Sequence, residues 1–338
     1  MKKITQILLL APVLLMAQNA DQELTSDIST IAFGSCSKQW MPNKQLWKEV
    51  NSSNPDLWIW LGDNIYADTE DMAKMNAQYD LQKSHPDYQT LLSKTKVIGI
   101  WDDHDFGVND GGKEYPKKDS SKLALFRFLE VPEAHPARAR SGAYQSYAFN
   151  SGAAKVKIIL LDARYFRDPL SKDDKNWNIP NKTGEILGEE QWRWFEDQLL
   201  DESIDLFVIA SGIQFIPEEH RFEKWANFPQ ERNRLFEIIP KIDKPVVLIS
   251  GDRHISETST MEIVDYPFPI YEFTSSSLNS PWGNKRAEPN QFRIEEIVYE
   301  TNFTLMSIVQ RNGNLTLSVK YLGKENEVYQ SHIIDFGN

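Results

Sequence analysis

The sequence predicts an α/β protein whose strands are covered on both faces. Three observations carry that expectation: continuous apolar runs of about five or six residues, amphipathic stretches between them, and a polar cluster directly after most runs. A strand buried on both sides reads as an unbroken apolar segment, whereas a strand with one wet face alternates.

Taken in order, Thr30-Ile31-Ala32-Phe33 is the first run, and a helix is expected over 43–50, where Leu46, Trp47 and Val50 share a face. Leu57-Trp58-Ile59-Trp60-Leu61 and Val97-Ile98-Gly99-Ile100-Trp101 are the second and third strands. Runs at 156–161, 206–210 and 246–250 repeat the pattern, with helices expected over 122–129, 189–200 and 231–239. The tail differs: 303–309 and 315–321 flank Asn312-Gly313-Asn314 as a hairpin, and 329–336 offers a further strand. Polar stretches at 113–121, 167–183 and 275–289 are expected as surface loops.

The 338 residues are 41% apolar and 25% charged, which excludes a disordered or collagen-like chain. Thirty-seven Lys and Arg against 49 Asp and Glu leave a net charge of −12 with no basic block, which argues against long nucleic acid as the main partner. Residues 1–20 read as a signal peptide: Lys2-Lys3, an apolar stretch over 4–16, then Ala17-Gln18-Asn19-Ala20. That stretch is too short to span a bilayer, so one folded domain over 21–338 is expected in the periplasm or secreted, without a membrane anchor. Cys36 is the only cysteine, so no intramolecular disulfide is possible and an unpaired thiol in an exported chain needs another reason.

The residues after the strands supply one. The first strand runs into Gly34-Ser35-Cys36-Ser37, the second into Gly62-Asp63-Asn64, and the third into Asp102-Asp103-His104-Asp105. Later runs end in Asp162-Ala163-Arg164 and Gly251-Asp252-Arg253-His254. Ligand crevices of open α/β sheets lie outside the carboxyl ends of the strands, where these groups would converge. Each alone has a plainer reading: Gly-Asp is a common turn, a free cysteine is usually a small buried hydrophobe, and an acidic run is usually a solvated loop. Together, Asp63, Asp103, Asp252 and His254 with a Cys36 thiolate suit iron, manganese, zinc or calcium, the thiolate favouring iron or zinc over calcium. A bound metal would also hold the thiol inert.

In these blocks the sequence resembles the alkaline phosphatase D (PhoD-like) family of metallophosphoesterases. The likeness runs in order from Phe33-Gly34-Ser35-Cys36-Ser37 through Gly62-Asp63-Asn64-Ile65-Tyr66-Ala67-Asp68 and Trp101-Asp102-Asp103-His104-Asp105-Phe106-Gly107. It continues through Leu161-Asp162-Ala163-Arg164-Tyr165-Phe166-Arg167 to Gly251-Asp252-Arg253-His254, covering about residues 28–280. The resemblance implies a calcineurin-like metallophosphatase sandwich, two packed mixed β-sheets flanked by helices, with a metal cluster at the strand ends. It implies an alkaline phosphatase or phosphodiesterase acting outside the cytoplasm on small phosphate mono- or diesters, with iron and calcium as cofactors and zinc or manganese as alternatives. Cys36, Asp63, Asp103, Asp252 and His254 are then ligand positions, with Tyr79 as the tyrosine ligand. The Asp-x-His opening of most calcineurin-like enzymes is replaced here by Ser35-Cys36-Ser37.

The chemistry so implied uses a metal-bound hydroxide as nucleophile, with Asp63 bridging the metals. His104 stabilises the phosphate or protonates the leaving group, and Arg253 and Arg164 contact the phosphoryl oxygens. Arg164 reads equally well as an ion-pair partner of nearby aspartates. The other expectations are a phosphodiesterase or phospholipase-like enzyme with little monoesterase activity, or a calcium-dependent binding module. His220, after Glu218-Glu219, carries less weight as a loop residue that could reach the site, and Trp225, Phe228 and Trp282 are given no role.

Overall fold

The apolar runs become the central strands of two mixed β-sheets in the computed structural model, which describes residues 20–283, 285, 288–311 and 314–337. One sheet has six strands in the order β15 (Val328–Asp335), β14 (Asn314–Leu322), β13 (Phe303–Arg311), β2 (Thr30–Gly34), β3 (Leu57–Leu61) and β4 (Lys96–Ile100). Here β2, β3 and β4 are parallel, and β13, β14 and β15 add an antiparallel flank. The other sheet has seven strands in the order β1 (Gln22–Glu23), β5 (Gln145–Ser151), β6 (Ala154–Leu160), β9 (Leu206–Ser211), β10 (Val246–Ser250), β12 (Ile270–Ser275) and β11 (Ser256–Met261). A small ribbon pairs β7 (Ser171–Lys172) with β8 (Asn178–Ile179).

The continuous apolar runs have two faces to fill. In β9, Leu206, Val208 and Ala210 enter the core shared by both sheets, while Phe207 and Ile209 enter a second core. That second core contains Trp192, Phe195 and Leu199 of α6 (Gly188–Leu199) and Leu235 of α7 (Pro229–Ile238). In β10, Val247 and Ile249 divide from Val246 and Leu248 in the same way. On the six-stranded sheet Trp58 packs edge-on against Trp47 of α1 (Trp47–Ser52) at 4.9 Å between centroids. Trp60 donates its indole proton to the Tyr88 hydroxyl of α3 (Pro86–Leu92) at 2.9 Å.

All six expected strands and the C-terminal hairpin are present, although its Asn312-Gly313 turn lies outside the described residues, as do residues 1–19 of the leader expected over 1–20. Pro42 opens a short 3-10 turn, so the first helix begins later than expected, at Trp47. The segment expected as a loop over 113–121 contains the start of α5 (Lys118–Phe128). The stretch at 275–289 is not a plain surface loop either, since Ser275, Ser276 and Ser277 are buried. Sequence periodicity missed α2 (Met72–Lys83), whose buried face of Met75, Tyr79 and Gln82 includes a polar residue while Leu81 lies off it. A one-turn helix, α4 (Asp103–Phe106), follows β4 directly. No helix among the described residues is long and apolar enough to cross a membrane.

Candidate metal centre

The polar groups after the parallel strands converge where the two sheets meet. Cys36 follows β2, Asp63 follows β3, Asp102 and Asp103 follow β4, and Asp252 and His254 follow β10 of the other sheet. Cys36, Asp63, Asp252 and His254 all have left-handed backbone, with φ of 58°, 49°, 67° and 54°. Such conformations are uncommon for non-glycine residues and cluster where a side chain must be aimed against local preference. Gly62, at φ 89°, allows the strand ends to approach, because a Cβ there would collide with Asp102. Gly251 does the same against Ser35 and the Leu61 carbonyl.

The ligand atoms of Cys36, Asp63 and His254 lie within 4.8 Å of one another, as do those of Asp63, Asp103 and His104, and those of Asp102, Asp103 and Asp252. Asp63 belongs to the first two groups and Asp103 to the last two, so the three groups form one continuous cluster. Cys36 Sγ is 3.3 Å from Asp63 Oδ2 and 3.1 Å from Ser276 Oγ. The His254 ring holds the Ser280 carbonyl through Nδ1, which leaves Nε2 facing the cluster.

Protein groups alone do not neutralise this cluster. Burial pushes Asp63 up to about 8, with Asp103 and Asp105 adding to the effect against the pull of His104. Burial likewise raises Asp252 and the Cys36 thiol well above their ordinary values. Asp103 is the exception: burial opposes its ionisation, but His104 and Arg164 hold it down, to about 2. Asp102 Oδ2 and Asp103 Oδ1 are buried without a hydrogen-bond partner among the described residues. Buried, unpaired carboxylate oxygens beside a thiol and an imidazole fit bound cations, so the donor set suits the metals the resemblance implies.

The cluster forms the floor of a cavity of about 500 Å³ whose wall includes His104, Arg253, Arg221, Lys172 and Lys175. His104 Nδ1 is 2.8 Å from Asp68, and its ring lies 4.3 Å from that of Tyr66. Arg253 stacks over Phe222 at 4.3 Å and pairs with Glu288, while its Nε has no partner among the described residues.

Two expected site residues are placed elsewhere. Arg164 is fully buried and does not line the cavity: its guanidinium bonds Asp102 at 2.7 and 2.8 Å and Glu223 at 2.7 Å. It is an ion-pair partner rather than a phosphate contact. Tyr79 lies on α2 with its hydroxyl 3.4 Å from Asp105, behind the cluster. The tyrosine in the cluster is Tyr66, whose hydroxyl donates to Asp63 Oδ2 at 3.1 Å and lies 3.2 Å from His254 Nε2. Its signal was its place three residues after Asp63 in the same strand-end block. Ser276 and Asp105 were also missed. Asp105 accepts bonds from the backbone N–H groups of Asp102 at 2.7 Å, Asp63 at 3.2 Å and Asn64 at 3.3 Å, and so fixes two strand-end turns. His220 is buried beside a neighbouring cavity, and Trp225 and Phe228 are core residues.

No curated protein matches the sequence. Among solved structures, one described as the structure of PhoD superposes with a TM-score of 0.69 at 17% identity, covering 92% of this chain and 69% of that one. A dimetal phosphatase from Danio rerio superposes with a TM-score of 0.58 at 12% identity, covering 92% of this chain and 100% of that one. These likenesses show the calcineurin-like fold of two mixed sheets flanked by helices. The PhoD-like phosphatase family matches residues 31–325, and the chain belongs to that family.

Proposed function

We propose that the chain is an exported phosphoester hydrolase that releases phosphate from small organic mono- or diesters at a two-metal centre. The observation that carries this reading is the buried cluster of Cys36, Asp63, Asp103, Asp252 and His254 beneath a cavity edged with cations. Bound there, metal ions would neutralise phosphoryl oxygens and make a water acidic enough to attack phosphorus. Cys36, Asp63 and His254, with the Tyr66 hydroxyl beside them, would hold one ion, and Asp103 and Asp252, with the unpaired Oδ2 of Asp102 beside them, would hold the other. The thiolate favours iron at the first position, with calcium at the oxygen-rich second, and zinc or manganese as the alternatives. Export rests on the leader at residues 1–20.

The chain's own groups do the rest. Asp68 holds His104 through Nδ1, so Nε2 is the nitrogen left to meet an ester oxygen. Burial disfavours the charged ring, while Asp63, Asp103 and Asp68 favour it. Asp68 is outside the ligand set, so its pairing with Nδ1 would persist beside bound cations and supports an imidazole that gives a proton to the leaving alcohol. Arg253, with Nε unpaired, is the guanidinium positioned for a phosphoryl oxygen, and Arg221 is a second cation on the same wall.

The test is turnover of nitrophenyl phosphate, bis-nitrophenyl phosphate, a phospholipid and duplex DNA by one preparation of known metal content. Hydrolysis of the small esters is expected, and chelation should abolish it. His104→Ala should keep its metal and lose about 10²–10⁴-fold in kcat. Cleavage of DNA alone would make the chain a nuclease, and a fully loaded protein without any hydrolysis would make it a binding module.

A further inference from the structure

A second cavity, of about 370 Å³, opens beside the candidate metal centre. Trp177, Arg221 and Trp282 line both cavities, so the two adjoin at one junction. Consecutive residues serve them: His254 faces the first, and Ile255 lines the second. The junction is fixed to the ligand segment, because the Trp282 N–H donates to the His254 carbonyl at 2.8 Å. The ribbon bearing Trp177 is tied in as well, by the Asn178 N–H to the Arg221 carbonyl at 3.2 Å.

We propose that this second cavity binds the planar ring of the ester's alcohol, so that the preferred substrate is a phosphate ester carrying an aromatic heterocycle, as a nucleotide does. The inference rests on the phosphoesterase reading of the first cavity and names its substrate class. The walls are aromatic and apolar, with Trp177, Trp282 and Tyr299 beside Ile255 and Ile297. Trp177 is 44% exposed on this wall, and an indole left in water at the mouth of a site is well used by a stacking ligand. Arg221 lies 5.6 Å from the Trp177 ring and 4.9 Å from that of Phe222, so the cation holds the two rings together at the junction.

The charges disfavour other occupants. Glu288 is paired with Arg253, and Glu219 accepts the Gln291 N–H at 2.7 Å, so the acids are engaged and do not form a cage for a quaternary ammonium group. A neutral ring with polar edges needs no free carboxylate.

The decisive comparison is AMP against ribose 5-phosphate, which carry the same phosphate on the same sugar and differ in the ring. With metal-loaded protein, kcat/KM for AMP should exceed that for ribose 5-phosphate by about tenfold or more, the scale of one stacked base. Tyr299→Ala should bring the ratio towards one, while Tyr299→Phe should keep it. Trp177→Ala, at an exposed position, repeats the test should Tyr299→Ala fail to fold. Adenosine, which carries no phosphate, should bind by calorimetry to the loaded protein and lose that binding in Tyr299→Ala. Equal kcat/KM for both esters would overturn the ring site, and so would preference for phosphocholine or glucose 6-phosphate over AMP. Adenosine binding without turnover of any ester would instead overturn the phosphoesterase reading and leave the ring site standing.

Discussion

Two buried clusters of charge lie side by side behind the cavity, and they differ in what neutralises them. In one, Arg164 joins Asp102 and Glu223, and Arg167 reaches Glu223 at 3.0 Å, so each carboxylate faces a guanidinium. In the other, Asp63, Asp103 and Asp252 crowd against Cys36 and His254, with His104 the nearest cation. Asp102 marks the border, with Oδ1 on Arg164 and Oδ2 unpaired. Buried acids with built-in counter-charges are structure, whereas buried acids that lack them await a cation from outside.

The strongest break of that contrast is Asp63→Asn. It should remove metal and activity together, with turnover down by roughly 10³-fold or more. In the chelated protein it should do the opposite to stability and, above pH 8, raise the melting temperature, because it removes a charge that burial disfavours first and Asp103 and Asp105 repel second, against the pull of His104. The pH dependence has a definite sign. Asp63 titrates near 8 when folded and in the ordinary carboxylate range when unfolded, so between those values the folded state binds more protons. Stability of the chelated protein should therefore fall as pH rises towards 8, and Asp63→Asn should flatten that slope. Asp252→Asn should behave alike. Full metal content in either variant, measured by elemental analysis, would remove that residue from the ligand set.

Arg164→Ala tests the other side. It strands Asp102 and Glu223 as unpaired buried charges, a change that typically costs about 3–5 kcal/mol, and the loss should appear in chemical denaturation of chelated and loaded protein alike. An unchanged midpoint with weaker substrate binding would return Arg164 to the phosphate site and erase the distinction between the clusters.

The same contrast separates what the sequence reveals from what it hides. Strand-end blocks are local in the chain, so Cys36, Asp63, Asp103, Asp252 and His254 could be read from their place after apolar runs, and the structure brings all five together. The fold was legible for a related reason, because strands covered on both faces leave continuous apolar runs. Arg164 is also at a strand end, but its direction depends on Asp102 and Glu223, which are 62 and 59 residues away in the chain. No local pattern reports a pairing of that span. The helix α2 was hidden because its buried face includes the polar Gln82 while the apolar Leu81 is exposed, so no apolar stripe marks it.

The smallest expected effect discriminates between the two tyrosines. Tyr66 touches the cluster directly, through Asp63 Oδ2 and His254 Nε2, whereas the Tyr79 hydroxyl donates to Asp105, which in turn holds the backbone at Asp63. Tyr66→Phe deletes a hydroxyl among the ligands and should weaken metal retention by about 10–100-fold, the usual range for a group that orients or supplements ligands. Tyr79→Phe removes one 3.4 Å bond from a carboxylate that keeps three backbone donors, so it should cost about 1 kcal/mol or less in stability and leave metal retention unchanged. Competition with a chelator, followed by metal analysis of both variants, reads the difference directly. Metal loss in Tyr79→Phe with full retention in Tyr66→Phe would reverse the two roles and restore Tyr79 as the ligand, in a rearranged cluster where α2 turns towards the metals.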